Sequence, residues 1–182
     1  RLKREYRIVQ AMAHPNVARV LDLVATKSNQ TLMTMELLSG LHLDQYLQQR
    51  RGRNVHSSSI ASTFSQLAQG LSYIHSHGVV HRDLKPSNVM VTENERVVLL
   101  DFGFANDAVE WAQKSASVLG SAGYAARELL SGETTGPKAD WYSVGVMLQE
   151  AITGRRGRKV LPEVPLALKG HLESLLHDDP EE

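Results

Sequence analysis

The sequence predicts an α+β fold, a small sheet set beside a mainly helical body. Three observations carry this. Apolar residues recur at helical spacing in two long stretches, Ile60, Phe64, Leu67, Leu71 and Ile74 and then Trp141, Val144, Leu148, Ala151 and Ile152. Short β-rich apolar runs occupy residues 17–23 and 31–35. Residues 89–100 read as a run out (Val89-Met90-Val91-Thr92), a polar turn (Glu93-Asn94-Glu95-Arg96) and a run back (Val97-Val98-Leu99-Leu100).

Taken in order, Leu2, Tyr6, Val9 and Met12, with Ile8 beside them, predict an amphipathic helix over residues 1 to about 12. Pro15 ends it within His14-Pro15-Asn16, because a proline pushes its predecessor out of the helical region. The runs 17–23 and 31–35 flank the polar Lys27-Ser28-Asn29-Gln30 and predict a hairpin. Gly40 breaks the chain before a short helix carrying Leu43, Tyr46 and Leu47. The long helix from Ser59 stops at Gly78, the residue type best suited to a left-handed cap. The hairpin over 89–100 returns the chain to its starting point, so Asp101 is expected beside Asn88. A long polar segment to Glu128 follows, then a helix from Lys138 to Thr153 stopped by Gly154. A loop with Pro162 and Pro165 leads to a last amphipathic helix with Leu168, Leu172, Leu175 and Leu176.

A chain of 182 residues, 42% apolar, fits one domain over 1–182 with a sizeable core. Lys plus Arg and Asp plus Glu are 20 each, so no net field steers the chain to nucleic acid or an anionic membrane. Two basic clusters, Arg50-Arg51-Gly52-Arg53 and Arg155-Arg156-Gly157-Arg158-Lys159, follow helical stretches and read as solvated helix ends. The absence of cysteine excludes disulfides, thiolate catalysis and Cys-based zinc sites. No apolar run approaches the roughly 18 residues that span a bilayer, and Arg1-Leu2-Lys3-Arg4-Glu5-Tyr6 lacks a signal-peptide core. The chain is therefore expected to be intracellular, in the cytoplasm. His75, His77 and His81 are close together, but nothing at helical spacing completes a zinc set around them.

The chemistry concentrates in His81-Arg82-Asp83-Leu84-Lys85-Pro86-Ser87-Asn88 and in Asp101-Phe102-Gly103. Phosphoryl transfer needs a positioned nucleophile, cations on the developing charge and metal held against phosphates. Asp83 is suited to orient a hydroxyl and accept its proton, and Lys85 reaches the same side to neutralise the transferring group. Asn88 and Asp101 supply the hard oxygens that suit Mg²⁺.

These two motifs, joined by a hairpin of suitable length, closely resemble the eukaryotic-type protein kinase family. Lys85 resembles its serine/threonine branch. The resemblance implies a protein-kinase-like fold, ATP and Mg²⁺ as cofactors and a protein substrate. It implies catalytic roles for Asp83, Lys85, Asn88 and Asp101, with Asn88 and Asp101 on the metal. Glu5, ten residues before Pro15, matches the helix Glu that pairs with the ATP-phosphate Lys. Met35 matches the gatekeeper, Glu36 to Leu38 the adenine-binding hinge, and Lys85, Ser87, Asn88, Met90 and Asp101 the rest of the nucleotide site. His42 and Asp44 follow where ribose contacts occur. Val9, Val20, His81 and Phe102 match the apolar column of the active enzyme, and Asp140 the buried Asp that holds the catalytic-loop backbone.

Gly120 to Glu128 resembles the substrate-docking loop, with Arg127 in place of the usual Pro. Arg82, immediately before Asp83, wants an anion. Ser117 matches the family's activating phosphosite, whereas Ser121 matches the hydroxyl that contacts the catalytic Asp and Lys. In the family's order the Gly-rich loop and strand Lys fall before residue 1. Residues 1–38 are thus expected to be a remnant of the N-lobe and hinge, residues 39–182 the C-lobe, and the 182-residue chain a poor binder of ATP. The alternative is a pseudokinase or docking module. Oligomeric state is left open.

Overall fold

The computed structural model describes residues 10–25, 31–50, 57–101, 123–131, 133 and 135–177. All but the end of the helix expected over residues 1 to about 12 lies outside them. Strands β1 (Val20–Ala25) and β2 (Thr31–Met35) pair antiparallel, Val20 opposite Met35 and Val24 opposite Leu32. The hairpin forms as expected, but its first strand starts at Val20, not at residue 17. Residues 16–18 join the other sheet instead. The Leu99 N–H donates to the Asn16 carbonyl and the Ala18 N–H to the Leu99 carbonyl, each at 2.9 Å.

That other sheet has the order β3 (Gly40–His42), β4 (Val89–Thr92), β5 (Val97–Leu99), antiparallel throughout. The expectation at Gly40 was a break, and the structure corrects it. Three residues are too few to show alternation, so what makes this segment a strand is its partner β4. A Cβ on Gly40 would lie 2.3 Å from the Val91 carbonyl oxygen, so only glycine allows the approach.

Helix α1 (Leu43–Arg50) follows directly and buries Leu43 and Tyr46. Helix α2 (Ser57–Ser76) inserts Phe64, Leu67, Leu71 and Ile74 at i, i+3, i+4 spacing. Full burial of each of its aliphatic side chains contributes about 1.5–3 kcal/mol. Gly78 follows at φ 73°, donating its N–H to the His75 carbonyl. On the flank of α2, Gln66 accepts from the Asn16 amide and the Val97 N–H, both at 3.1 Å, and donates to the Glu95 carbonyl at 3.0 Å. This side chain joins helix, turn and sheet.

The one-turn helix α3 (Arg127–Leu130) precedes α4 (Pro137–Thr153), which opens on a proline and closes on Gly154 at φ 77°. Helix α4 is buried nearly all round, through Ala139, Asp140, Ser143, Val144, Gly145, Val146, Met147 and Gln149. Helix α5 (Leu166–Leu175) meets it at Gly145, where a Cβ would come within 2.9 Å of the Leu175 Cβ. Of the expected leucine stripe Leu172 and Leu176 are buried, while Leu168 is 37% exposed and lines an apolar cleft with Ile60, Phe64, Leu148 and Ile152. Both sheets and helices α1, α2 and α4 contribute to one apolar core. Among the described residues no helix is long and apolar enough to cross a membrane.

The packing of α2 on the turn after Pro15 gives a test. A Cβ on Gly70 would sit 2.6 Å from the Asn16 carbonyl oxygen, whereas one on Gly136 meets nothing. Gly70→Ala is expected to cost about 1–3 kcal/mol by overpacking, and Gly136→Ala to stay within about 0.5 kcal/mol. Urea denaturation of the two variants checks this, and coincident midpoints would refute the close approach.

Candidate active site

The loop 81–88 runs from the end of α2 to β4, and one buried carboxylate sets its shape. Asp140, in the first turn of α4, is 1% exposed. Its Oδ2 accepts the His81 N–H and its Oδ1 the Arg82 N–H, both at 2.8 Å. His75 Nε2 lies 2.8 Å from Oδ2 as well. Arg82 has φ 65°, in the left-handed region, which costs an L residue roughly 1–2 kcal/mol. Two hydrogen bonds to a charged acceptor, each worth about 1.5–3 kcal/mol, more than offset that cost. The His81 ring donates from Nε2 to the Leu100 carbonyl at 2.9 Å, tying the loop to the end of β5.

Four chemistry-bearing side chains follow from this shape. Lys85 Nζ stands 2.7 Å from Asp83 Oδ2. Asn88 Nδ2 donates to the Asp83 carbonyl at 2.7 Å and to Asp83 Oδ2 at 3.2 Å. The Leu100 N–H donates to the Asn88 carbonyl at 2.9 Å, so the exposed Asp101, at φ 51°, stands next along the chain from that pair. Both bonds of the Asn88 amide nitrogen point at Asp83, which turns Oδ1 the other way. An amide oxygen and an exposed carboxylate form a hard-oxygen donor pair, the chemistry that fits Mg²⁺.

The hinge residues lie between the sheets. Met35 ends β2, half-buried, and Leu38 packs on the core. The Glu36 carboxylate is engaged within the fold, accepting the Arg19 N–H at 3.0 Å and pairing with Arg96 at 3.0 Å. Ser87 is exposed, and Met90 pairs across β4 with His42 and Val98. The His42 Nδ1 is buried without a hydrogen-bond partner among the described residues.

Glu5, Val9, Phe102, Gly103, Ser117 and Ser121 lie outside the described residues. His75, His77 and His81 turn to separate partners: Asp140, the Tyr73 carbonyl and the Leu100 carbonyl. At the turn where the family carries a proline, Arg127 is exposed. Ala126 takes φ −62°, ψ 157° and Arg127 begins α3. Beside it the buried Tyr124 donates its hydroxyl to Glu150 Oε2 at 2.5 Å. Burial, and then the Glu150 carboxylate, push this phenol well above its ordinary value, so it keeps its proton as donor. Sequence reasoning missed Glu150 and the partnership of Asp140 with His75. A carboxylate at position 150, within the apolar second half of the helix, was the available signal for the first, whereas the second spans 65 residues and leaves no local trace.

The family model described as protein kinase domain matches residues 1–159. The hormonally up-regulated neu tumor-associated kinase homolog of Xenopus tropicalis is 36% identical over 155 residues, 84% of this chain and 22% of that protein. The human hormonally up-regulated neu tumor-associated kinase is 35% identical over 155 residues, again 84% of this chain and 21% of that protein. Sperm motility kinase 2B of Mus musculus is 35% identical over 152 residues, 83% of this chain and 31% of that protein. The chain thus spans about a fifth to a third of the length of these curated relatives.

An amide in place of the Asp140 carboxylate offers one oxygen where two backbone donors wait. Asp140→Asn is expected to lose about 1–3 kcal/mol of stability. Glu163→Gln, which breaks only the exposed pair with Arg155, should lose at most about 1 kcal/mol. Equilibrium denaturation of both proteins decides, and equal losses would contradict the anchoring role of Asp140.

Proposed function

The chain belongs to the protein kinase domain family, and on that premise we propose that it transfers the γ-phosphate of ATP to serine or threonine hydroxyls of protein substrates. The observation that carries the reading is the hydrogen-bonded set Asp83, Lys85 and Asn88, with Asp101 next to the pair that closes the β4–β5 hairpin. Asp83 Oδ2 is taken by Lys85 and Asn88, which leaves Oδ1 for a substrate hydroxyl. As the hydroxyl oxygen bonds to the γ-phosphorus and the bond to the bridging oxygen of ADP breaks, Asp83 takes the hydroxyl proton. Lys85, held on the same side, neutralises charge on the transferring group. Asn88 and Asp101 would hold Mg²⁺, which when bound screens the phosphate charge. Met35, Glu36, Leu38, Ser87 and Met90 border the nucleotide in this reading, and Glu5 would pair with the lysine that holds its phosphates. In the same reading a phosphate on Ser117 would pair with Arg82, and Ser121 matches the hydroxyl that in the family contacts the catalytic Asp and Lys. A docking module without transfer has no use for a lysine placed against this aspartate.

The test uses protein expressed from its complete reading frame. Asp83→Asn should lower the rate of phosphate transfer by about 10²–10⁴-fold with Mg-ATP affinity little changed, since Asp83 faces the hydroxyl. Asp101→Asn should weaken Mg-ATP binding, measured by calorimetry. Steady-state rates near wild type for both variants would overturn the assignment.

A further inference from the structure

The basic run after α4 is not simply a solvated helix end. Gln149, fully buried, folds it back, accepting the Leu161 N–H at 2.8 Å and donating to the Gly157 carbonyl at 3.0 Å. This return lays Arg156 over the segment that resembles a substrate-docking loop. The Arg156 guanidinium stands 5.2 Å from the centre of the Tyr124 ring, and its Nε lies 3.5 Å from Glu150 Oε1. Its Nη1 comes so near the exposed Gly123 that a Cβ there would be 3.1 Å away. The other Glu150 oxygen receives the Tyr124 hydroxyl. Both carboxylate oxygens are therefore engaged inside the fold, and the group left facing solvent is a cation, with the Arg156 side chain 46% exposed.

Helix α4 fixes where this cation stands relative to the chemistry. Asp140 grips the catalytic loop, Ser143 donates to the Tyr124 carbonyl at 2.9 Å, and Glu150 takes the Tyr124 hydroxyl. Ten residues at 1.5 Å each separate Asp140 from Glu150, about 15 Å, or roughly four to five residues of an extended peptide. Of the neighbouring cations, Arg158 reaches toward the Tyr142 hydroxyl at 3.5 Å and Arg155 pairs with Glu163.

We infer that Arg156 is a specificity-determining residue: it occupies Glu150 from within and makes the docking face select substrates carrying an acidic side chain a few residues from the acceptor hydroxyl. The inference rests on the kinase reading above and names the substrate class of that same site. Charge complementarity across such a face is how partners are discriminated.

The experiment uses protein from the complete reading frame and serine peptides in matched pairs, with Glu or Lys scanned over both sides of the acceptor. Phosphorylation rates and, separately, binding of the labelled peptides by fluorescence anisotropy are measured. Wild type should favour Glu by about two- to fivefold at one or more positions, the scale of an exposed charge pair. The preference should fall toward parity as salt rises from about 50 to 500 mM. Arg156→Ala should abolish the preference or turn it toward Lys, because Glu150 is then uncovered, and Arg156→Lys should retain part of it. Wild type indifferent to charge, or a preference untouched by salt and by Arg156→Ala, would overturn the inference while phosphorylation itself left the kinase reading intact. Charge-selective binding lost in Arg156→Ala, without phosphorylation of any peptide, would sustain the inference and sink the transfer reaction.

Discussion

A carboxylate with almost no access to water sits at the start of α4, and its two oxygens hold adjacent N–H groups of a loop from a distant part of the chain. Both oxygens are engaged by backbone N–H groups, and the His75 Nε2 lies 2.8 Å from one of them as well. The grip stabilises the left-handed Arg82 and so fixes the direction in which the chain leaves it. Asp83, Lys85 and Asn88 inherit their mutual distances from this turn. Helix α4 is a suitable base for such a grip because Val144, Val146 and Met147 bury it in the core, leaving little room for the carboxylate to shift.

The second constraint comes from the other end of the site. Residues 16–18 lie along β5, exchanging hydrogen bonds with Leu99, while Glu36 pairs with Arg96 in the turn before that strand. The β1–β2 hairpin and hinge are thus coupled to the strand whose end delivers Asp101. The His81–Leu100 hydrogen bond joins the end of that strand to the loop 81–88. Groups from separate stretches of sequence are thereby held in one hydrogen-bonded framework.

Much of this was legible beforehand, for definite reasons. The 89–100 hairpin announces itself by equal arms and a polar turn, and helices α2 and α4 by apolar residues three and four apart. The segment 81–88 stood out because Asp83, Lys85, Ser87 and Asn88 crowd into one short stretch. Where reading failed, the determining partner lay far away. Gly40 breaks a helix by its own preference but makes a strand because Val91 lies against it. Leu168 has the helical phase of Leu172, yet it lines an open cleft with residues of α2 and α4 and stays partly exposed. The basic run at 155–159 carries no sign that Gln149 bends it back over Tyr124.

Gln66 illustrates how such long-range demands narrow what a position can become. Its one amide accepts from Asn16 and Val97 and donates to Glu95, so it needs both an acceptor with two lone pairs and a donor at that reach. Glutamate has no proton to give, asparagine is a methylene short, and lysine cannot accept. No other ordinary side chain of that length offers both ends. Any single replacement at this half-buried position therefore strands at least one of three groups, on residues 16, 95 and 97, at about 0.5–1.5 kcal/mol for each hydrogen bond lost.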